Sequence, residues 1–224
     1  MTTSTVPRRE AKDALYEGFA SIARALASGR RAEIVDLLSQ GERTVEEIAQ
    51  EIGQSLANTS HHLRALARAQ LVTTRRAGTH IHYRLTSNTV VDAWVALRDL
   101  AAERLDEFDE LATAYLGDRH ELETITRDGL LARLERGDLV LIDVRPDAEY
   151  AAGHIPGAIS TPPAQLGVAL DGLPDQGDVV AYCRGPYCVY ADDAVRTLRA
   201  RGRRALRLED GLPEWRRAGG AIEP

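Results

Sequence analysis

The sequence is poor in cysteine, with only Cys183 and Cys188 among its 224 residues. Two cysteines are too few for a disulfide scaffold, which leaves reactive or ligand chemistry in a reduced compartment as their use. Lysine is scarcer still. Lys12 stands alone, so that arginine supplies 27 of the 28 basic residues, a bias of the kind that codon composition produces. Long apolar runs are missing as well: none approaches the ~18 residues needed to span a bilayer. The polar start MTTSTVPRRE lacks the apolar core of a signal peptide. A cytoplasmic protein with no membrane association is therefore expected.

What is present suits globular domains, since 44% of the residues are apolar and 28% charged, enough to bury ordinary cores. Pro7 is the single proline before residue 118 and the other eight lie beyond it. This change of texture near Leu116-Gly117-Asp118-Arg119-His120 places an expected boundary between a domain at 1–118 and a domain at 119–224. Neither half carries a repeat or a low-complexity tract.

The formal charge of −6 argues at first against a nucleic-acid partner. Counted by half, each carries 14 basic and 17 acidic residues, a net charge of −3. The local distribution differs. From Gln54 to Arg84 there are five arginines, four of the six histidines and no acidic residue. Phosphate contacts depend on charges within a Debye length of about 10 Å more than on the chain total, so DNA is not excluded.

In the first half, Ala11 to Ala27 and Arg30 to Ser39 read as helices from their apolar spacing, ended by Gly29 and Gly41. Thr44-Val45-Glu46-Glu47 is a capping box that opens a short helix ending near Gly53. Ser55 to Ala69 forms another helix, with Leu56, Leu63 and Leu66 available to pack inward. Leu71 to Arg75 and His80 to Leu85 flank Ala77-Gly78-Thr79 as a hairpin. Asn88 to Leu116 reads as one long amphipathic helix. Helix, turn, helix, hairpin is the order of a winged helix-turn-helix.

The stretch IAQEIGQSLANTSHHLRALARAQLVTTRRAGTHIHYRL resembles the ArsR/SmtB winged-helix repressors, in a Ser-x-His-Leu helix, a Leu-Val pair and an arginine-bearing wing ending in Tyr-x-Leu. The resemblance covers about residues 11 to 116. It implies a homodimer formed largely by the first and last helices, reading a palindromic double-stranded operator as a repressor released by an inducer. By position, it places Asn58, Thr59, Ser60, His61 and Arg64 on or beside the DNA-facing side of the recognition helix, and Arg75 and Arg76 in the wing. His62 is expected to support packing. Metal-sensing members carry thiolates near the first helix of the motif or His/Asp ligands on the last helix. Thr44 to Gln54 has no cysteine and the final helix no histidine, so no metal site is expected there, nor any cofactor.

The second half alternates strand-like and helical stretches. Leu139 to Val144 and Asp178 to Tyr182 suit buried parallel strands, and Asp192 to Arg201 is helical. This order sets Cys183 at the carboxyl end of a strand and beside a helix amino terminus, where open α/β sheets bind ligands. On the loop Cys183-Arg184-Gly185-Pro186-Tyr187-Cys188, backbone amides and Arg184 would favour a thiolate and hold an anion, and Gly185 permits the tight curvature.

Leu141-Ile142-Asp143-Val144-Arg145, Glu149-Tyr150, Gly153 to Ala158 and Glu209 to Trp215 resemble the signatures of a single rhodanese domain, with Asp210 departing from the usual Gly-Gly pair. The six-residue loop fits a sulfurtransferase better than the related phosphatases, whose loop is one residue longer. By this resemblance Cys183 is the nucleophile that becomes a persulfide, with Arg184, Gly185 and Tyr187 in an anion-binding loop. Asp143 and Arg145 are structural neighbours of the site. Cys188 stands where many rhodaneses have a non-thiol residue, and it offers a resolving thiol.

The expected architecture is thus two domains, a mainly α winged helix-turn-helix with a β-hairpin wing followed by an α/β rhodanese-like parallel sheet. The expected function is a DNA-binding repressor that senses reactive sulfur at Cys183, with Cys188 resolving. Its partners are operator DNA, a second copy of the chain, and a sulfane-sulfur donor or thiophilic inducer. Two alternatives stay open: a sulfurtransferase with an accessory winged helix, and an arsenite- or metal-responsive repressor using the two thiols as ligands.

Overall fold

The computed structural model describes residues 7–174 and 177–224; the start at 1–6 lies outside the described residues. By contacts the chain divides into two units, Met1–Trp94 and Val95–Pro224. Among the described residues, no helix is long and apolar enough to cross a membrane.

The first unit opens with α1 (Arg8–Leu26) and α2 (Gly29–Ser39). Then come β1 (Arg43–Thr44), α3 (Val45–Glu51), α4 (Leu56–Arg68), and the hairpin of β2 (Val72–Ala77) and β3 (His80–Leu85). The capping box forms as the sequence predicts: the Thr44 hydroxyl accepts from the Glu47 amide at 3.3 Å, and the Glu47 carboxylate accepts from the Thr44 amide at 2.7 Å. Ser55 caps α4 in the same way, accepting from the Asn58 amide at 3.3 Å. Gly78, at φ +60°, is the first residue of the two-residue loop between Ala77 and His80, a conformation that suits the twist of a tight hairpin and that glycine adopts without steric cost. The sheet has a third strand that the sequence did not announce. β1 pairs antiparallel with β3, Arg43 opposite Tyr83 and Thr44 opposite His82, and two residues are too few to show an alternating pattern. Ile34, Val35, Ile48, Leu63 and Leu66 are fully buried in the core of this unit.

The expected single helix from Asn88 to Leu116 is two, α5 (Asn88–Arg104) and α6 (Phe108–Leu116). The break at 105–107 contains neither Gly nor Pro. It coincides with a tertiary contact: Phe108, the first residue of α6, meets the Tyr187 ring edge-on at 5.4 Å.

Beyond α6 run β4 (Thr124–Ile125), α7 (Arg127–Arg136), β5 (Leu139–Asp143), α8 (Asp147–Ala151) and β6 (Ile159–Ser160). They are followed by α9 (Leu166–Asp171), β7 (Asp178–Tyr182), α10 (Tyr190–Ala200), β8 (Ala205–Leu208) and α11 (Leu212–Arg217). The strands form one parallel sheet in the order β4-β8-β7-β5-β6. The central strands β5, β7 and β8 are apolar and buried, as a sheet covered on both faces requires. One apolar cluster includes Val179, Ala181 and Val195, and a second includes Val180, Leu208 and Trp215; alternate residues of β7 thus face opposite layers.

Candidate functional site: an exposed helix face and a buried sulfur loop

In the first unit, α4 divides cleanly by helical period. Thr59, Leu63 and Leu66 are buried, while Asn58, His61 and Arg64 are exposed and Ser60 is half-buried. Thr59, expected among the DNA-facing residues, is a correction. It lies four residues before Leu63 on the same face, so its side chain points into the core rather than toward solvent. His62 is half-buried with an enclosed Nδ1. Burial, then the nearby Arg31, His61 and Arg30, hold its pKa below the ordinary value and keep the ring neutral. On the wing, Arg76 is exposed and its Nε donates to the Gly78 carbonyl at 3.2 Å. Arg75 is paired with Glu42, its Nε donating at 3.0 Å and its Nη2 to the other carboxylate oxygen. The stretch from Gln54 to Arg84 is free of acid in sequence but not in space. Glu42 arrives from just before β1, and the Arg75 hydrogen bonds draw its pKa below the usual carboxylate range.

In the second unit the loop 183–188 leaves the carboxyl end of β7 and leads into α10. Cys183 and Cys188 are joined by a disulfide, with their Cα atoms 6.3 Å apart. Cys183 is 2% exposed and belongs to the apolar core; Cys188 packs against the same cluster. The bridge closes the loop, and the Cys188 amide also donates to the Gly185 carbonyl at 3.2 Å.

The surroundings of the loop differ from the sequence expectation in the role of its arginine. Arg184 is engaged by the fully buried Glu149 carboxylate, with Nε 3.0 Å from both oxygens and Nη2 at 2.6 Å. Its charge thus balances a carboxylate that burial would otherwise leave costly. Two residues of the closing signature, to which the sequence assigned no role, shape the loop more directly. A Cβ on Gly211 would collide with the Gly185 nitrogen and the Arg184 carbonyl carbon, so only glycine lets the closing signature approach the loop backbone. Glu214 accepts from the Gly211 amide at 2.9 Å and pairs with Arg98 at 2.8 Å. Tyr187 sits between Phe108 and Arg98, whose guanidinium carbon lies 5.7 Å from the ring centroid. Its hydroxyl pKa is raised, chiefly by burial.

Behind the loop lies a closed polar network, all of it fully buried. Arg145 donates to Asp143 through Nε at 3.0 Å and Nη2 at 2.5 Å, and to the Gly153 carbonyl at 2.8 Å. Tyr182 donates to Asp143 at 2.5 Å and accepts from the Ile155 amide at 3.0 Å. Burial and the Asp143 charge keep the Tyr182 phenol protonated, its pKa far above the ordinary value. These residues fix the carboxyl ends of β5 and β7.

Comparison with known proteins accounts for both regions. The family model described as bacterial regulatory protein, arsR family, matches residues 28–74, and that described as rhodanese-like domain matches residues 126–218. The HTH-type transcriptional regulator Rv0324 of Mycobacterium tuberculosis is 47% identical over 208 residues, which cover 93% of this chain and 91% of that protein. A protein named sulfurtransferase from Allochromatium vinosum is 34% identical over 96 residues, 42% of this chain and 89% of its own. Among solved structures, the homodimeric winged helix-turn-helix DNA-binding domain of Mb0332 from Mycobacterium bovis is 39% identical. It covers 47% of this chain and 95% of that chain, with a TM-score of 0.42. With near full-length identity to a regulator and a family match on its helix-turn-helix, this chain belongs to the arsR family of bacterial regulatory proteins, as a DNA-binding transcriptional regulator that carries a rhodanese-like domain.

Proposed function

We propose that the chain is a homodimeric repressor whose rhodanese-like domain senses sulfane sulfur at Cys183, with Cys188 as the resolving thiol. The observation that carries this reading is the Cys183–Cys188 bridge within one six-residue loop at the carboxyl end of β7. It is the product that a two-step sulfur reaction would leave. In the first step the Cys183 thiolate attacks the outer sulfur of a persulfide or polysulfide; the new S–S bond forms on Cys183, and the donor leaves as a thiolate. In the second, the Cys188 thiolate attacks the Cys183 Sγ. The Cys183–Cys188 bond forms, the bond to the terminal sulfur breaks, and that sulfur leaves as hydrosulfide. Two thiols are oxidised and one sulfane sulfur is reduced, so no other oxidant is needed.

The DNA face in this reading consists of Asn58, Ser60, His61, Arg64 and Arg76, with Arg75 beside them. Apolar side chains exposed on α1, namely Leu15, Tyr16, Phe19 and Ile22, and Leu111 and Tyr115 on α6 support a second copy of the chain as partner, since an exposed apolar stripe marks an interface. Two-fold symmetry of the dimer then calls for a palindromic operator.

The test is a DNA-binding titration of the fully reduced chain, repeated after polysulfide, thiosulfate and arsenite, with Cys183→Ser and Cys188→Ser alongside. Polysulfide is expected to change operator affinity by about 5–150-fold, the range of ordinary allosteric couplings. Cys183→Ser abolishes the response, and a Cys183→Ser protein that responds normally overturns it. The likeness to a sulfurtransferase favours one second reading, catalytic turnover; sustained sulfur transfer from thiosulfate to a thiol acceptor without any effect on DNA affinity would establish it. Release by arsenite alone, with no persulfide formed, would instead make the two thiols ligands.

A further inference from the structure

The segment 95–119 precedes the rhodanese-like match at 126–218, yet side chains from it end on the sulfur loop. Phe108, at the start of α6, packs edge-on against Tyr187 at 5.4 Å. Arg119, just past the end of α6, uses all three guanidinium nitrogens. Its Nη1 donates to the Pro186 carbonyl at 2.7 Å, its Nη2 to the Cys188 carbonyl at 3.1 Å, and its Nε to the fully buried Asp192 at 2.6 Å. The loop is thus tied to the start of α6 through Phe108 and to the segment three residues past its end through Arg119. Between the ties lies a cavity of about 580 Å³, lined among others by Ala112, Thr113, Leu116, His120 and Tyr187. A short helix fixed at its ends, with space along its flank, moves as a unit when one end is displaced.

Arg119 holds the carbonyl of Cys188 itself. With the bridge closed, the Cys188 Cα is kept 6.3 Å from that of Cys183. With the bridge open that covalent restraint is gone, while the hydrogen bonds to Arg119 can follow the backbone. We infer that α6 is the element that registers whether the Cys183–Cys188 pair is open or closed, with Phe108 and Arg119 as the positioning residues that carry the displacement. The inference rests on the reading of the pair as one that opens and closes, and it holds whichever reagent closes it.

The experiment is hydrogen exchange of the full chain, read by mass spectrometry over 108–116, with α7 as internal reference. The pair is opened with excess dithiol and closed with diamide, in which two thiols give up two electrons and two protons and the diazene becomes a hydrazine. Closing is expected to change exchange across α6 by at least about threefold, as local opening equilibria respond to a lost or gained anchor, and to leave α7 unchanged. In Phe108→Ala and Arg119→Gln the bridge still forms, by intact mass, and the α6 change shrinks to less than about half. Because Arg119→Gln also removes a partner of buried Asp192, Phe108→Ala carries the test if that variant fails to fold. Equal α6 exchange in the two wild-type states, or a full-sized change in Phe108→Ala, overturns the inference. A wild-type chain that closes with diamide and not with polysulfide overturns the sulfane-sulfur reading alone, and the α6 result then stands on the diamide arm.

Discussion

The exposed face of α4 and the loop from Cys183 to Cys188 solve opposite problems. On α4 the polar side chains Asn58, His61 and Arg64 are exposed and make few bonds inside the protein, as the proposed DNA partner would require. Around the sulfur loop the polar groups are withdrawn from water and committed: Glu149 to Arg184, Asp143 to Arg145 and Tyr182, Asp192 to Arg119 and Arg207. The proposed DNA face keeps Arg64 and Arg76 clear of carboxylates, with Arg75 bonded to Glu42, whereas the loop proposed to react with sulfur is held by charges already spent on one another. Substitutions in the first region should therefore alter binding with little cost in stability, and those in the second should do the reverse.

The largest effect is expected at Asp143→Ala, which leaves the fully buried Arg145 without its carboxylate. Breaking a buried ion pair by removing one partner costs about 3–5 kcal/mol, measurable as a lower urea midpoint for the second unit. A loss below about 1 kcal/mol would mean that the network is not what frames the loop. Gly211→Ala follows. Its Cβ meets the backbone of Arg184 and Gly185, and overpacking of this kind costs about 1–3 kcal/mol. Slower closure of the Cys183–Cys188 bridge, timed by thiol titration, should accompany it.

The third set breaks the comparison from the other side. Arg64→Ala and Arg76→Ala should each leave the unfolding midpoint nearly unchanged and reduce the slope of log affinity against log salt by about 1.8, one phosphate contact from each protomer of the proposed dimer. Arg75→Ala should reduce it by less than half of that, since Glu42 already neutralises this arginine. Equal losses at Arg75 and Arg64 would show that Arg75 leaves Glu42 for phosphate.

The smallest effect concerns His62. Its folded pKa lies below its ordinary 6.5, so the unfolded chain binds the extra proton first. The stability that His62 contributes is present above pH 6.5 and is lost as pH falls through the folded pKa. Thermal melts of the first unit should decline more steeply below pH 6.5 in the native chain than in His62→Gln.

Much of this was legible before any coordinates. The capping box at Thr44, α4, the hairpin, β5 and β7 all appear where period and turn chemistry place them, because each is set by residues close in sequence. Three features were not. β1, β4 and β6 have two residues each, too short for a pattern and fixed only by the strand beside them. The break before Phe108 coincides with an aromatic contact to Tyr187, far along the chain, and no Gly or Pro marks it in the sequence. The neutralisation of Arg75 by Glu42, and of Arg184 by Glu149, joins residues 33 and 35 positions apart, so a charge count along the sequence misjudged which cations are available. At the site the resemblance located Cys183 and Cys188 and held Gly211 and Glu214 in its closing signature, but the close approach of Gly211 to the loop and the hold of Arg119 upon it join distant residues and left no local signal.

The scarcity of lysine acquires a meaning on α4 and the wing. Arg64, Arg68, Arg75, Arg76 and Arg84 present guanidinium groups, planar forks of donors that match phosphate geometry and offer no amine to acetylate. Lysine acetylation therefore cannot act as an off-switch on α4 or the wing, which carry no lysine.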